Sequence, residues 1–182
     1  KEVTEEEFVL DDIRLWREVQ PDIHRDDIMR CYSGIKLMPG AREVVGELQN
    51  RGILVAIVSS GVDLLIGSIA NMLKVNDWAA NGFEWDGEGW LIGSKPTVVQ
   101  SHDKGIMVEK FAKINSIDPS NIVSVGDSGP DLSMRITGSR FIGFNPAPNR
   151  GADDFVKAGV PIVEGKDLRG IWEPLFGETF PK

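Results

Sequence analysis

The chain has 182 residues, 41% of them hydrophobic and 26% charged, which suits one domain, or a domain with a small cap, around a sizeable core. Its net charge of −8 argues against broad contact with nucleic acid or an anionic membrane surface, because holding phosphates needs clustered Lys and Arg. A single cysteine, Cys31, excludes an intrachain disulfide and a multi-cysteine zinc site and fits a reducing cytoplasm, while the longest apolar stretch, residues 53–58, is far too short to span a bilayer.

Glu5, Glu6 and Glu7 stand where a secretory signal would need a basic segment followed by an apolar one. Residues 4–19 read as a helix: Thr4 and Glu7 have capping-box spacing, and Val9, Ile13 and Trp16 recur on one face. Pro21 ends it, and Asp22 is placed to cap a second short helix through about Cys31. From Met38-Pro39-Gly40 onward, helical and strand signals alternate. Residues 41–51 are helical and stop at Gly52; residues 53–58 form a continuous apolar run rich in β-branched residues, the pattern of a strand buried on both faces. Residues 63–74 are helical again. Residues 83–85 and 90–92 flank Asp86-Gly87-Glu88-Gly89 as a hairpin, across which Trp85 and Trp90 are expected to pack. The pattern then predicts a helix over 104–114, a strand over 122–125 and a short helix over 132–137. Strands over 141–144 and 160–163 close the series, with a helix between them and another after Leu168. Such alternation implies βαβ crossovers and a mostly parallel sheet, in which ligands sit beyond the carboxyl ends of the strands.

Three strand-associated positions carry chemistry. Ser59-Ser60-Gly61 ends the first buried strand in two hydroxyls and a glycine, a place to hold a phosphate or carboxylate, or else a plain turn with Ser as the cap. Gly126-Asp127-Ser128-Gly129-Pro130-Asp131 ends the next strand in two acids four residues apart, whose hard oxygens suit Mg2+. The alternative is that Asp131 caps the following helix and Asp127 belongs to a turn. Lys104 opens a helix, where it opposes the helix dipole; a cation aimed at a phosphate explains it, as does a solvated surface lysine. His24 and His102 have no partner at metal spacing. Neither a Gly-x-Ser-x-Gly elbow nor a Gly-rich loop ending in Lys-Ser or Lys-Thr is present.

In this order, the segments resemble the haloacid dehalogenase superfamily, in its phosphoserine-phosphatase-like branch, from about Met38 to Leu175. Pro39-Gly40-Ala41-Arg42-Glu43 resembles the entry to the helix before the family's second motif, and Val55-Ala56-Ile57-Val58-Ser59-Ser60-Gly61 resembles that motif. Lys104-Gly105 resembles the third motif, the stretch from Gly126 to Asp131 the fourth, and Ile142-Gly143-Phe144-Asn145-Pro146 the strand and turn after it. The resemblance implies an α/β core over residues 37–182, a Rossmann-like, mostly parallel sheet flanked by helices, with residues 1–36 as a partial helical cap. It implies an Mg2+-dependent phosphomonoester hydrolase acting on a small phosphorylated metabolite through an aspartyl-phosphate. Asp127 would bind the metal; Ser59, Ser60, Gly61 and Lys104 would bind phosphate; Ser59, Lys104 and Asp131 would serve the reaction, Asp131 by orienting metal-bound water. The cap would set selectivity, with Arg14 and Arg17 as positions that shift it.

Two substitutions depart from the branch: Pro130 stands where Asn or Thr is frequent, and Ser60 where Gly is. The family's first motif, an apolar strand followed by two Asp separated by one residue, has no counterpart. The nearest string, Phe8-Val9-Leu10-Asp11-Asp12-Ile13, puts Ile13 at the second acid and leaves 48 residues from Asp11 to Ser59, too few for a strand and a cap. The expectation is therefore a further N-terminal stretch with an apolar strand and two acids, on this chain or another, lying between the strands that end at Ser59 and Asp127. The alternatives are a phosphatase of the same branch for another metabolite, or a catalytically inactive member serving as a binding or scaffold module.

Overall fold

The computed structural model describes residues 4–148 and 151–181; residues 1–3, the first of the expected cap, lie outside them. Helix α1 (Glu5–Val19) opens with the expected capping box: the Thr4 hydroxyl accepts from the Glu7 N–H, and the Glu7 carboxylate accepts from the Thr4 N–H. Helix α2 (Arg25–Cys31) is capped by His24 rather than Asp22. The His24 ring accepts from the Asp26 N–H and the Asp27 carboxylate takes the His24 N–H, which leaves Ile23 extended and buried. Helix α3 (Ala41–Asn50) follows Gly40, whose φ of +79° and close approach to Asp167 admit no other residue without strain.

Strand β1 (Ala56–Val62) is displaced from the prediction over 53–58. The Ile53 N–H returns to the Leu48 carbonyl to close α3, and the Val55 N–H goes to the Asn76 side chain, so the ladder begins only after residues 53–55. Burial on both faces is also corrected: Leu54 is 47% exposed and no residue of β1 is fully buried. Ser59, Ser60 and Gly61 thus lie inside the strand, not after it. Helix α4 (Asp63–Leu73) leads to β2 (Asp77–Asn81), which pattern did not predict because Asp77-Trp78-Ala79-Ala80-Asn81 has no β-branched residue. The two strands pair in parallel from Ala56↔Asp77 to Val58↔Ala79 and again at Val62↔Asn81, with the register broken between.

The hairpin forms as expected from β3 (Phe83–Trp85) and β4 (Leu91–Ser94), antiparallel. Its tryptophans do not meet across it: Trp85 lies edge-on to Phe83 at 6.0 Å, and Trp90 lies edge-on to His24 at 5.1 Å. Helix α5 (Gly105–Ile114) takes Lys104 as its N-cap. Beyond it come β5 (Val123–Gly126), a 3-10 turn over Gly129–Met134 in place of the predicted helix 132–137, and β6 (Arg140–Phe144). Helix α6 (Ala152–Lys157), β7 (Ile162–Val163) and α7 (Trp172–Phe176) complete the chain, and β5-β6-β7 form a parallel sheet.

The architecture is α/β, with parallel strands flanked by helices. Parallel pairing is as predicted, and it is divided where the missing strand was expected: among the described residues no ladder joins β1 to β5, and each of these strands has a partner on one side only. Strand β6 is covered on both faces. Phe141 meets Val108, Met134 and Phe155, while Ile142 and Phe144 meet Val44, Ile171 and Trp172. Gly143 lets the Phe155 ring lie on the sheet, since a Cβ there would sit 2.4 Å from it. Each such large side chain contributes about 1.5–3 kcal/mol by leaving water. Helix α5 serves both sheets, Met107 packing with Ala79 and Val99 below the first and Val108 below the second; Val58 of β1 touches both groups. Helices α1 and α2 share a separate cluster with the hairpin, built on Ile13, Ile23, Phe83 and Leu91. Among the described residues, no helix is long and apolar enough to cross a membrane.

Candidate active site

The carboxyl end of β5 carries a compact polar group. Asp131 is 5% exposed, and its two oxygens accept from four protein donors. Oδ1 takes the Lys104 ammonium at 2.6 Å; Oδ2 takes the Asp127 N–H at 3.1 Å, the Ser128 N–H at 3.0 Å and the Ser128 hydroxyl at 2.8 Å. Burial alone would raise the Asp131 carboxyl, but the hydrogen bonds from Lys104 and Ser128 outweigh it and hold the group below its ordinary value. Ser128 and Asp131 also form the capping box of the 3-10 turn, with Ser128 as the N-cap and Asp131 at the third position, so Asp131 supports the cap instead of being it. Lys104 is largely covered beside it, and its own N–H is fixed by the Ser133 hydroxyl at 3.0 Å, which pins the start of α5 to this turn.

Asp127 differs. It is exposed, and its carboxyl is pushed up, first by burial of its inner part and then by the neighbouring Asp131 carboxylate, with Lys104 opposing. A negative charge disfavoured by its surroundings yet open to solvent is a place where a cation binds well. Among the described residues no group of three or more His, Cys, Asp and Glu is placed to hold a metal ion, and with the Asp131 oxygens taken by protein donors the carboxylate left open here is that of Asp127. One or two carboxylates, with water and phosphate filling the rest of the shell, is the donor set that Mg2+ commonly takes.

The second group lies at the end of β1. The Ser59 hydroxyl accepts from the Gly61 N–H at 3.1 Å, and the Ser60 carbonyl accepts from the Asn81 side-chain amide at 3.1 Å. Ser60, Gly61 and Asn81 open onto a cavity of about 240 Å3, closed by Asp12 and Trp16 of α1 and by Lys95, which pairs with Asp63 at 3.1 Å. Among the described residues no hydrogen bond or ion pair links Ser59–Gly61 to Lys104, Asp127 or Asp131. The structure therefore brings Lys104, Asp127 and Asp131 together and sets the Ser59 segment in a neighbouring strand, the two being spanned by α5.

Arg14 and Arg17 do not face the cavity. Arg14 bonds to Asp11 and Glu18 on the outer face of α1, and Arg17 donates to the Leu91 carbonyl at 2.7 Å, tying the helix to the hairpin. The residues of α1 that do face it include Asp12 and Trp16; Trp16 was legible as part of the helix's apolar face, and Asp12 only as part of the string nearest the first motif. Asn81 gave no signal, since it closes a strand that the pattern did not reveal.

The family model described as haloacid dehalogenase-like hydrolase matches residues 8–135. The phosphoserine phosphatase of Methanocaldococcus jannaschii is 32% identical over 152 residues, covering 82% of this chain and 69% of that one. That of Archaeoglobus fulgidus is 34% identical over 117 residues, 64% of this chain, and that of Lactococcus lactis 31% identical over 124 residues, 68% of this chain. The chain spans only 34% and 56% of those two relatives. Among solved structures, a substrate-bound phosphoserine phosphatase complex superposes with a TM-score of 0.74 at 27% identity, covering 94% of this chain and 80% of that one. A phospho-aspartyl intermediate analogue of phosphoserine phosphatase gives 0.73 at 29% identity with the same coverage. The chain belongs to the haloacid dehalogenase-like hydrolase family, in its phosphoserine-phosphatase-like branch.

Proposed function

We propose that the protein is an Mg2+-dependent phosphomonoester hydrolase of the cytoplasm, acting on a small phosphorylated metabolite through an aspartyl-phosphate. Residues 37–182 form its core and residues 1–36 part of a helical cap. The observation that carries this reading is the end of β5: a largely buried Lys104 held by a saturated Asp131, beside an exposed Asp127 whose negative charge is disfavoured by its surroundings. Asp127 is the residue that would hold Mg2+, which when bound neutralises charge on the phosphoryl group. The Ser59 hydroxyl, the Ser60–Gly61 backbone and the Lys104 ammonium bind phosphoryl oxygens. Asp131, its oxygens occupied, acts through Lys104 and the Asp127 N–H by fixing where both stand.

The nucleophile comes from a strand outside the described residues, seated between β1 and β5; the single-sided pairing of both strands supports this. Its carboxylate attacks phosphorus, the ester P–O bond breaks, and a second acid on that segment protonates the departing alkoxide. Water then attacks the aspartyl-phosphate, releasing phosphate and restoring the carboxylate. Positioning and charge neutralisation supply most of the acceleration in such a transfer.

The test is turnover of a panel of small phosphomonoesters by the full-length protein, with and without Mg2+. Asp127→Asn is expected to weaken Mg2+ binding and nearly abolish turnover; full activity of that variant at low Mg2+ removes Asp127 from the site. A full-length sequence with no Asp-x-Asp after an apolar strand, together with no turnover of any ester, replaces the enzyme by a binding module.

A further inference from the structure

Asn81 is 8% exposed, and its amide makes four hydrogen bonds. Nδ2 donates to the Ser60 carbonyl at 3.1 Å and the Val99 carbonyl at 2.9 Å; Oδ1 accepts from the Val98 and Val99 N–H groups, each at 2.9 Å. Two carbonyls on one side and two N–H groups on the other fix which end of the amide is oxygen. No other side chain reproduces this set: Asp has no donors, and Gln carries its amide one methylene farther out.

The groups it holds belong to different segments of the candidate phosphate site. Ser60 lies in the stretch where the β1–β2 ladder is irregular, between Val58 and Val62, so regular strand pairing does not fix that stretch. Val99 is buried against Ala79 and Met107, and the chain from it reaches Lys104 five residues later. The amide of Asn81 is thus a direct polar tie between the end of β1 and the loop that delivers the lysine.

We propose that Asn81 is a positioning residue that sets the spacing between Ser59–Gly61 and the Lys104 loop, an inference that rests on the reading of both as phosphate-binding. It acts through the Ser60 carbonyl and the Val98–Val99 backbone and touches neither the ester nor the reacting atoms. Asn81→Asp separates its two halves, because it keeps acceptors for Val98 and Val99 but loses both donors and sets a carboxylate oxygen against the Ser60 and Val99 carbonyls.

In the full-length protein, Asn81→Asp and Asn81→Ala are expected to weaken inhibition by inorganic phosphate and raise KM for a phosphomonoester by roughly ten- to a hundredfold, with a smaller change in kcat. Val44→Ala, in the core beneath β6, provides the comparison: a similar fall in thermal midpoint with KM and phosphate inhibition unchanged. Ser59→Ala separates this inference from the reading beneath it. Phosphate inhibition weakened in Ser59→Ala but unchanged in both Asn81 variants overturns the role of Asn81 alone; inhibition unchanged in all three overturns both. If the Asn81 variants fail to fold, the wild-type protein decides by NMR. Phosphate titration should shift the Asn81 side-chain amide and the Ser60 backbone amide together, and signals that stay still overturn the proposal.

Discussion

Gly126 is required by a neighbour rather than by its own backbone angles. A Cβ at this position would lie 2.4 Å from the Asp131 Cβ, so only glycine lets the Asp131 carboxylate reach both Lys104 and the N–H groups of Asp127 and Ser128. Gly126→Ala is therefore expected to displace Asp131, cost about 1–3 kcal/mol of stability through overpacking, and remove most turnover by releasing Lys104. Chemical unfolding and steady-state kinetics of the full-length variant check it, and unchanged values in both would show that the turn yields without moving Asp131. The sequence showed Asp127, Asp131 and Lys104 as residues of interest because each stands beside a strand or helix end in a recognisable order. It could not show that Lys104 and Asp131 form a buried pair, since 27 residues separate them and no local periodicity relates them. Asn81 was less visible still: its importance comes from four backbone groups that are distant in sequence, and nothing in Ala79-Ala80-Asn81-Gly82 announces them.

Elements were legible where their signals are local and lost where they depend on tertiary partners. The capping box of α1 and the Asp86–Gly89 hairpin loop formed as read because both are closed by hydrogen bonds across only a few residues. β1 was misplaced because an apolar β-branched run does not show that its first residues close the preceding helix. β2 was missed because its place is set by pairing with β1 and by packing of Ala79 against α5, not by propensity. The hairpin loop also carries a pH signature. The Trp90 N–H, with those of Glu88 and Gly89, holds the Asp86 carboxyl below its ordinary value despite some desolvation. A carboxyl lowered in the folded state stabilises it above the unfolded pKa, and this contribution is lost as pH falls through the lower folded value. The difference in unfolding free energy between wild type and Asp86→Asn should accordingly be widest near neutral pH and close on acidification below the ordinary carboxylate range. Urea unfolding at a series of pH values measures it; a difference that stays constant with pH would mean that the Asp86 charge does not hold the loop.

At the scale of the whole molecule, alternation of strands and helices was enough to foresee parallel pairing, because a strand that crosses through a helix returns in the same direction. Alternation alone does not tell which edges meet; that β1 and β5 would not pair was expected from the family resemblance, which places the strand of the missing first motif between them. Among the described residues β1 and β5 each keep one edge without a ladder partner, while α5 packs against both sheets. Backbone N–H and C=O groups along such edges must be satisfied by water or by another strand, and half-exposed β1 is consistent with water in this chain. The proposed nucleophile strand would replace that water with two ladders and would shield both neighbours at once. Hydrogen exchange can compare residues 1–182 with the full-length polypeptide, or with the same residues mixed with the strand as a separate peptide. Amides of Ala56–Val62 and Val123–Gly126 should exchange more slowly when the strand is present, by a common factor, because its docking is a single event. Amides of β6, already flanked by β5 and β7 and covered on both faces, should change far less. Protection gained by β5 alone would place the strand at one edge rather than between the two. Equal exchange in both forms would leave β1 and β5 as true edges and remove the structural support for a nucleophile carried between them.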